Sequence, residues 1–196
     1  MGYDPDGHAW YNVLWDVINT IAGLLNPVSK LTAVGSVVYA IVDGRWNDVV
    51  HDLNEGCFNP FNQDEKVALE SKVFSFYKGE SVVRHSIPKA SSLQIVGTIF
   101  LNRNRTYNSD GINSLNHEWG HGVQERLLGF GGYITFVAVP SVINYWFGEH
   151  RNYKQQYPKD NPYYFTKYFE RTADYFGGVT RPYAYPFWDY RNFIPW

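Results

Sequence analysis

The stretch Asn116–Gly129, NHEWGHGVQERLLG, decides the reading of this chain. His117 and His121 stand four apart with Glu118 beside the first of them. Four residues of helix advance about 6 Å and turn about 400°, so the two imidazoles share one face and can grip a single ion. Imidazole nitrogens suit zinc. Glu118 leans to the side of that pair, where it serves better as a general base than as a ligand. The spacing therefore assigns two metal ligands and a proton acceptor, the pattern of zinc-dependent hydrolases. The flanks agree with a helix. Asn113 or Ser114 can cap it, Ile112, Leu115, Trp119, Val123 and Leu127 recur at helical spacing, and Gly129 offers a stop.

Downstream, NPYYFTKYFERTADYFGG reads as a second helix, with Asn161 as N-cap, Pro162 at its first position and Gly177 and Gly178 at its close. Glu170 and Asp174, four apart, lie on one face. A catalytic zinc takes three protein ligands and leaves the fourth position to water, which makes Glu170 the expected third ligand. Asp174, one turn on, can accept a hydrogen bond from the far ring nitrogen of a ligating histidine and so fix its tautomer. The plain alternative for both is a surface pairing with Lys167 or Arg171. His150, in FGEHRN, is a further candidate ligand or transition-state donor. A metzincin would continue as HExxHxxGxxH. This chain has Gln124 and Leu127 at those places and no methionine beyond Met1, so that class is excluded.

The 196 residues, 44% of them hydrophobic, are enough for one domain with a sizeable core and a small N-terminal appendage. A net charge of -2 with scattered Lys and Arg gives no sign of nucleic-acid binding. The single cysteine, Cys57, rules out an intrachain disulfide and a Cys-rich structural zinc site. Its neighbours in NEGCFNPFN offer no base, so it reads as a structural thiol. The opening MGYDPDGHAWYNVLW carries acidic residues where a signal peptide would be basic.

Two apolar stretches bear on membranes. Val13 to Val42 is broken by Asp16, Asn19, Asn26, Pro27 and Lys30 and reads as two short amphipathic or buried helices. Leu127 to Gly148 carries no charge and approaches the roughly 20 residues a span needs, but it contains glycines, Pro140, Ser141 and Asn144. A buried helix from about Tyr133 to Trp146, packed behind the histidine helix, is the reading preferred here, and the chain's mean hydropathy of -0.37 agrees with a soluble protein.

The whole reads as α+β. Residues 1–60 form an apolar helical leader ending in the turn-rich GCFNPFNQ, and residues 61–196 form the domain that carries the site. Within that domain QDEKVALESKVFSFYKG reads as a helix from Asn62 or Asp64 to Gly79, and ESVVRHSI and LQIVGTIFLN read as strands. The histidine helix, the buried apolar helix and the glutamate helix follow.

HEWGH with a later FERTADYFGGVTR is similar to the gluzincin pattern, HExxH followed by ExxxD. YKGESVVRHS, IFLNRN, the run from LNHEWGH to VINYW, and YYFTKYFERTADYFGGVTR resemble the C-terminal toxin domains of RHS-repeat polymorphic toxins. GYDPDGH is similar to the DPxG signature that ends an RHS core. The likeness covers nearly all of the chain and is densest from Tyr77 to Arg181. It implies a zincin-like domain with one zinc per chain, held by His117, His121 and Glu170 and supported by Asp174. It implies a secreted or delivered fragment of a larger protein, with Met1 an added start, released near the core's end and countered by a cognate immunity protein. The gap from His121 to Glu170 is longer than in thermolysin-type enzymes.

The expected reaction is hydrolysis of a peptide or protein substrate. Zinc would lower the pKa of a bound water toward about 7 and polarise the scissile carbonyl, and Glu118 would move the proton to the leaving amine. GTIFLNR, just ahead of the histidine helix, is the expected edge strand for an extended substrate. His150, Tyr163, Tyr164, Tyr168 and Arg181 are the candidate oxyanion donors. Two other classes compete: a zinc-binding protein without turnover, and a membrane-active toxin that uses the two apolar stretches.

Overall fold

The computed structural model describes residues 17, 18, 20–22, 25–86, 92–147 (side chains of 145–147 excepted) and 167–179. The GYDPDGH opening, the Asn161–Pro162 helix start, and the candidates His150, Tyr163, Tyr164 and Arg181 lie outside the described residues. The chain divides into two compact units, residues 1–115 and 116–196.

In the first unit Asn26 starts helix α1 (Pro27–Val42), its Oδ1 accepting from the N–H groups of Val28 and Ser29 with Pro27 at the first position. Helix α2 (Trp46–Asn54) and the short α3 (Glu65–Glu70) follow, then strands β1 (Phe74–Tyr77), β2 (Glu80–His85), β3 (Leu93–Ile95) and β4 (Thr98–Asn102). They form one mixed sheet in the order β1-β2-β4-β3, with β2 and β4 parallel and the outer pairs antiparallel. The architecture is α+β, as expected.

Local readings change in two places. The helix expected to run to Gly79 ends at Glu70, and VFSFY is strand instead. Its branched and aromatic residues suit a pleated surface. The buried Asp52 of α2 also takes the N–H groups of Lys72, Val73 and Phe74 at 2.7, 2.7 and 3.0 Å, which draws them out of any helical ladder. LQIVGTIFLN is a hairpin rather than one strand. Val96 and Gly97 both have positive φ (52° and 69°), as do Lys78 and Gly79 (46° and 83°), which is the two-residue turn whose twist matches its flanking strands. Val96, a β-branched residue, is strained there, and Asn26 Nδ2 bonds its carbonyl at 3.2 Å. The same hairpin overturns the substrate-edge expectation, because β4 lies between β2 and β3 with both sides paired.

The core of this unit gathers Ala33 and Ala40 of α1, Val49 of α2, and Val73 and Phe74, with Phe58 and Phe76 set against Phe74 at ring centroids of 5.5 and 4.9 Å. The leader helices thus share a core with the sheet. Ser29 and Ser81 fasten α1 to β2: the Ser81 hydroxyl donates to the Ser29 carbonyl at 2.8 Å, and the Ser81 N–H donates to Ser29 Oγ at 3.1 Å. Cys57 is fully buried, and burial together with the charges of Asp52 and Glu55 pushes its thiol up to about 12, so it packs as an inert apolar group.

The second unit is helical. Helix α4 (Ser109–Tyr133) carries the histidines and breaks at Gly129 (φ 68°, ψ 163°), the residue expected to stop it. A π turn (Ile134–Ala138) leads into α5 (Val139–Phe147), and α6 (Tyr168–Gly177) bears the glutamate. Lys167 is extended and α6 starts at Tyr168; Gly178, left-handed at φ 69°, ends it, with the Val179 N–H on the Asp174 carbonyl at 2.8 Å. Tyr133, Val137 and Phe169 form the core here.

The expected buried helix from Tyr133 to Trp146 is helical but not buried. Tyr133, Val137 and Asn144 are covered, whereas Phe136, Val139 and Val142 are about half exposed. The helix carries apolar residues beyond the stripe of Tyr133, Val137 and Asn144, which is the covered one among the described residues.

Candidate metal centre

Helices α4 and α6 approach backbone to backbone. A Cβ built on Gly120 would lie 1.9 Å from the Ala173 carbonyl oxygen, and one on Gly177 would lie 2.1 Å from that of Asn116. Only glycine permits this closeness, and it brings Glu170 against the histidines. Glu170 stands in the first turn of α6, where the helix dipole favours negative charge.

The two imidazoles meet edge to face, with centroids 4.7 Å apart. Glu170 Oε2 lies 3.0 Å from His117 Nε2 and 3.3 Å from His121 Nε2. All three residues are buried, and their ligand atoms lie within 4.8 Å of one another, close enough to bind one metal ion.

Hydrogen bonds fix the polarity of each ring. Asp174 Oδ1 sits 2.7 Å from His117 Nδ1 and can only accept when ionised, so that nitrogen carries the proton. Gln124 does the same for His121. Its Nε2 donates to the Phe169 carbonyl at 2.7 Å and to Thr172 Oγ1, whose own hydrogen goes to the Tyr168 carbonyl at 2.7 Å. The amide oxygen is thereby turned to His121 Nδ1, at 2.7 Å. Both Nε2 atoms consequently direct lone pairs at a carboxylate oxygen. The other oxygen, Glu170 Oε1, accepts the Ser141 hydroxyl.

Three acceptors facing one point in a buried site require a cation or a proton among them. When a proton serves, burial would lower the His117 pKa, but the hydrogen bonds to Asp174 and Glu170 and the charges of Glu170 and Glu118 raise it to about 10. Burial pushes the Glu170 carboxyl up, and the hydrogen bonds and charges of the two histidines outweigh it, holding the group far below the ordinary carboxylate range. A set of two neutral imidazoles and one carboxylate fits a divalent metal on the same grounds.

The structure thus brings together His117, His121, Glu170 and Asp174. Glu118 is buried, and its charge is felt at His117. Tyr168 gives its hydroxyl hydrogen to the Phe136 carbonyl at 2.7 Å, which commits it away from an oxyanion role in this state. Gln124, Ser141, Gly120 and Gly177 were not anticipated as parts of the site. Gln124 alone had a local signal, three residues after His121 on the same helix face. No family model, curated protein or solved structure matches the chain.

Proposed function

We propose that this chain is a zinc-dependent metallopeptidase acting as a toxin or effector domain. The observation that carries the reading is the convergence of His117 Nε2, His121 Nε2 and Glu170 Oε2 on one buried point, with both Nδ1 protons tied back to Gln124 and Asp174. Two imidazoles and one carboxylate are a set that zinc uses in catalytic sites, with a fourth position left open. Zinc bound there supplies Lewis-acid activation of water and of the scissile carbonyl. His117, His121 and Glu170 hold it, and Asp174 and Gln124 keep the two rings in the ligating tautomer. Glu118 accepts the water proton and delivers it to the leaving amine. The RHS-like sequence supports delivery as the C-terminal part of a larger secreted protein, a zincin-like fold, a peptide or protein substrate, and an immunity protein as partner.

The test is the metal content of the purified protein. About one zinc per chain in the wild type, lost in His121→Ala and Glu170→Ala, is the expected result; no zinc in the wild type even after it is supplied overturns the reading. Glu118→Gln should keep the zinc while turnover falls by about 10²- to 10⁴-fold, and undiminished hydrolysis by that variant would remove Glu118 from its role.

One observation favours a second reading, contact with a membrane. The helical run from Ser109 to Asn144 is long and apolar enough to cross a bilayer, yet only 17% of its most apolar stretch is buried. Leu127, Leu128, Phe130, Phe136, Val139 and Val142 are each about half exposed, and Leu31, Val34 and Val42 of α1 more so. Dye release from liposomes by the Glu118→Gln protein, equal to that of wild type, would make the apolar surfaces the source of activity. Intact liposomes with both proteins would leave the peptidase alone.

A further inference from the structure

We infer that Ser141 is a positioning residue that assigns the two oxygens of Glu170 to different tasks, one to the metal and one to the protein; this rests on the metal reading above. Its hydroxyl donates to Glu170 Oε1, while Oε2 is the oxygen that faces both histidine Nε2 atoms, at 3.0 and 3.3 Å. Glu170 is fully buried, so an oxygen left without a donor would carry a desolvation cost. A carboxylate can meet a metal through one oxygen or two. With Oε1 held by a hydrogen bond, Glu170 binds through Oε2 alone, and a fourth position stays available for water.

The chemistry of the donor matters. A lysine or arginine in that place would neutralise Glu170 and compete with the cation. A hydroxyl is neutral, satisfies the oxygen, and leaves the negative charge for the metal. The fold delivers it by register. Tyr133 and Val137 belong to the cluster that packs with Phe169, and Ser141, the next residue at a spacing of four, reaches Glu170 one position further along α6. The π turn Ile134–Ala138 lies inside that series. One residue fewer in it would rotate everything beyond by about 100° and carry Ser141 off the carboxylate.

The experiment compares wild type, Ser141→Ala and Ser141→Thr for zinc affinity, by competition with a chromophoric chelator, and for the visible spectrum of the cobalt(II)-substituted protein. Loss of the hydroxyl should weaken zinc binding by about 10- to 100-fold. It should also weaken the intense bands of four-coordinate cobalt as Oε1 joins the metal, and Ser141→Thr should restore both. Should Ser141→Ala fail to fold, Ser141→Val, which matches the Thr variant in shape and has neither a donor nor a metal-binding atom, takes its place with the same expected outcome. Wild-type affinity and an unchanged cobalt spectrum in the Ala or Val variant would overturn the inference and leave the metal site standing. A wild type that takes up neither zinc nor cobalt would fell the metal reading itself, and this inference with it.

Discussion

Asp52 and Glu170 are both fully buried carboxylates, one in each compact unit, and they do opposite work. Asp52 is surrounded by donors: three consecutive backbone N–H groups point at it, and His51 Nδ1 lies 3.2 Å away. Its charge is met by the chain, and the result is a fixed bend from α3 into β1. Glu170 faces two nitrogens whose protons have been drawn to the far side of their rings by Asp174 and Gln124. Its charge is met by a proton added to the His117 ring or by a cation bound among the three acceptors. Burial of a carboxylate therefore says little about function until the supply of donors around it is counted.

The largest effects come from exchanging these two situations. Asp52→Ala would leave the buried N–H groups of Val73 and Phe74 and the part-buried one of Lys72 without their acceptor and should destabilise the protein by about 3 kcal/mol, equally with and without zinc. Denaturant melts in the presence and absence of a chelator check this, and a loss that depends on zinc would mean the two carboxylates are not the different kinds they look to be. Glu170→Gln should behave the other way. Its zinc affinity should fall by more than about 100-fold, and its loss of stability, modest in the chelated protein where His117 keeps its bond to Asp174, should grow when zinc is supplied. Gly120→Ala should cost about 1–3 kcal/mol from the forced contact with the Ala173 carbonyl, together with a loss of zinc that the equally helical Gly131→Ala, with open space at its Cβ, does not show.

Smaller effects sharpen the contrast within the site. Gln124→Leu frees the His121 tautomer and should lower zinc affinity by about 10-fold, measured by chelator competition. The pH response of the metal-free protein is the mildest test. The His117 pKa is raised from 6.5 to about 10 on folding, so its contribution to stability is complete below about pH 6.5 and is lost as pH rises through about 10. Thermal melts of chelated protein should decline across that window. Zinc, which needs the imidazole neutral, should bind more tightly along the same rise. A flat melt profile would remove the proton from among the three acceptors.

The sequence was most legible where function depends on spacing along one helix. His117, Glu118 and His121, and separately Glu170 and Asp174, are placed by the helical repeat before any fold is known. What joins the two helices was hidden. Gly120 looks like a filler inside the motif, and Gly177 like part of a stop signal, yet each is the point where one backbone passes against another. Ser141 read as a polar interruption of an apolar run. The first unit misled where neighbours outvoted propensity: Asp52, some twenty residues away, turned the end of an expected helix into β1, and a strained Val96 folded one expected strand into two. The apolar helix after Gly129 was assigned to a core by composition, and composition does not reveal which of its faces are covered.

Where helices meet through side chains, an ångström of misfit can be absorbed by a rotamer change. At Gly120 and Gly177 there is no such cushion, because peptide groups stand against each other and their dimensions are covalent. The gap between the ligand pair on one helix and the single ligand on the other is thus a gauge cut in rigid material. Substitutions elsewhere in the unit can loosen or tighten its core without resetting that gauge, so the size of ion such a site would accept is insulated from changes in the packing around it.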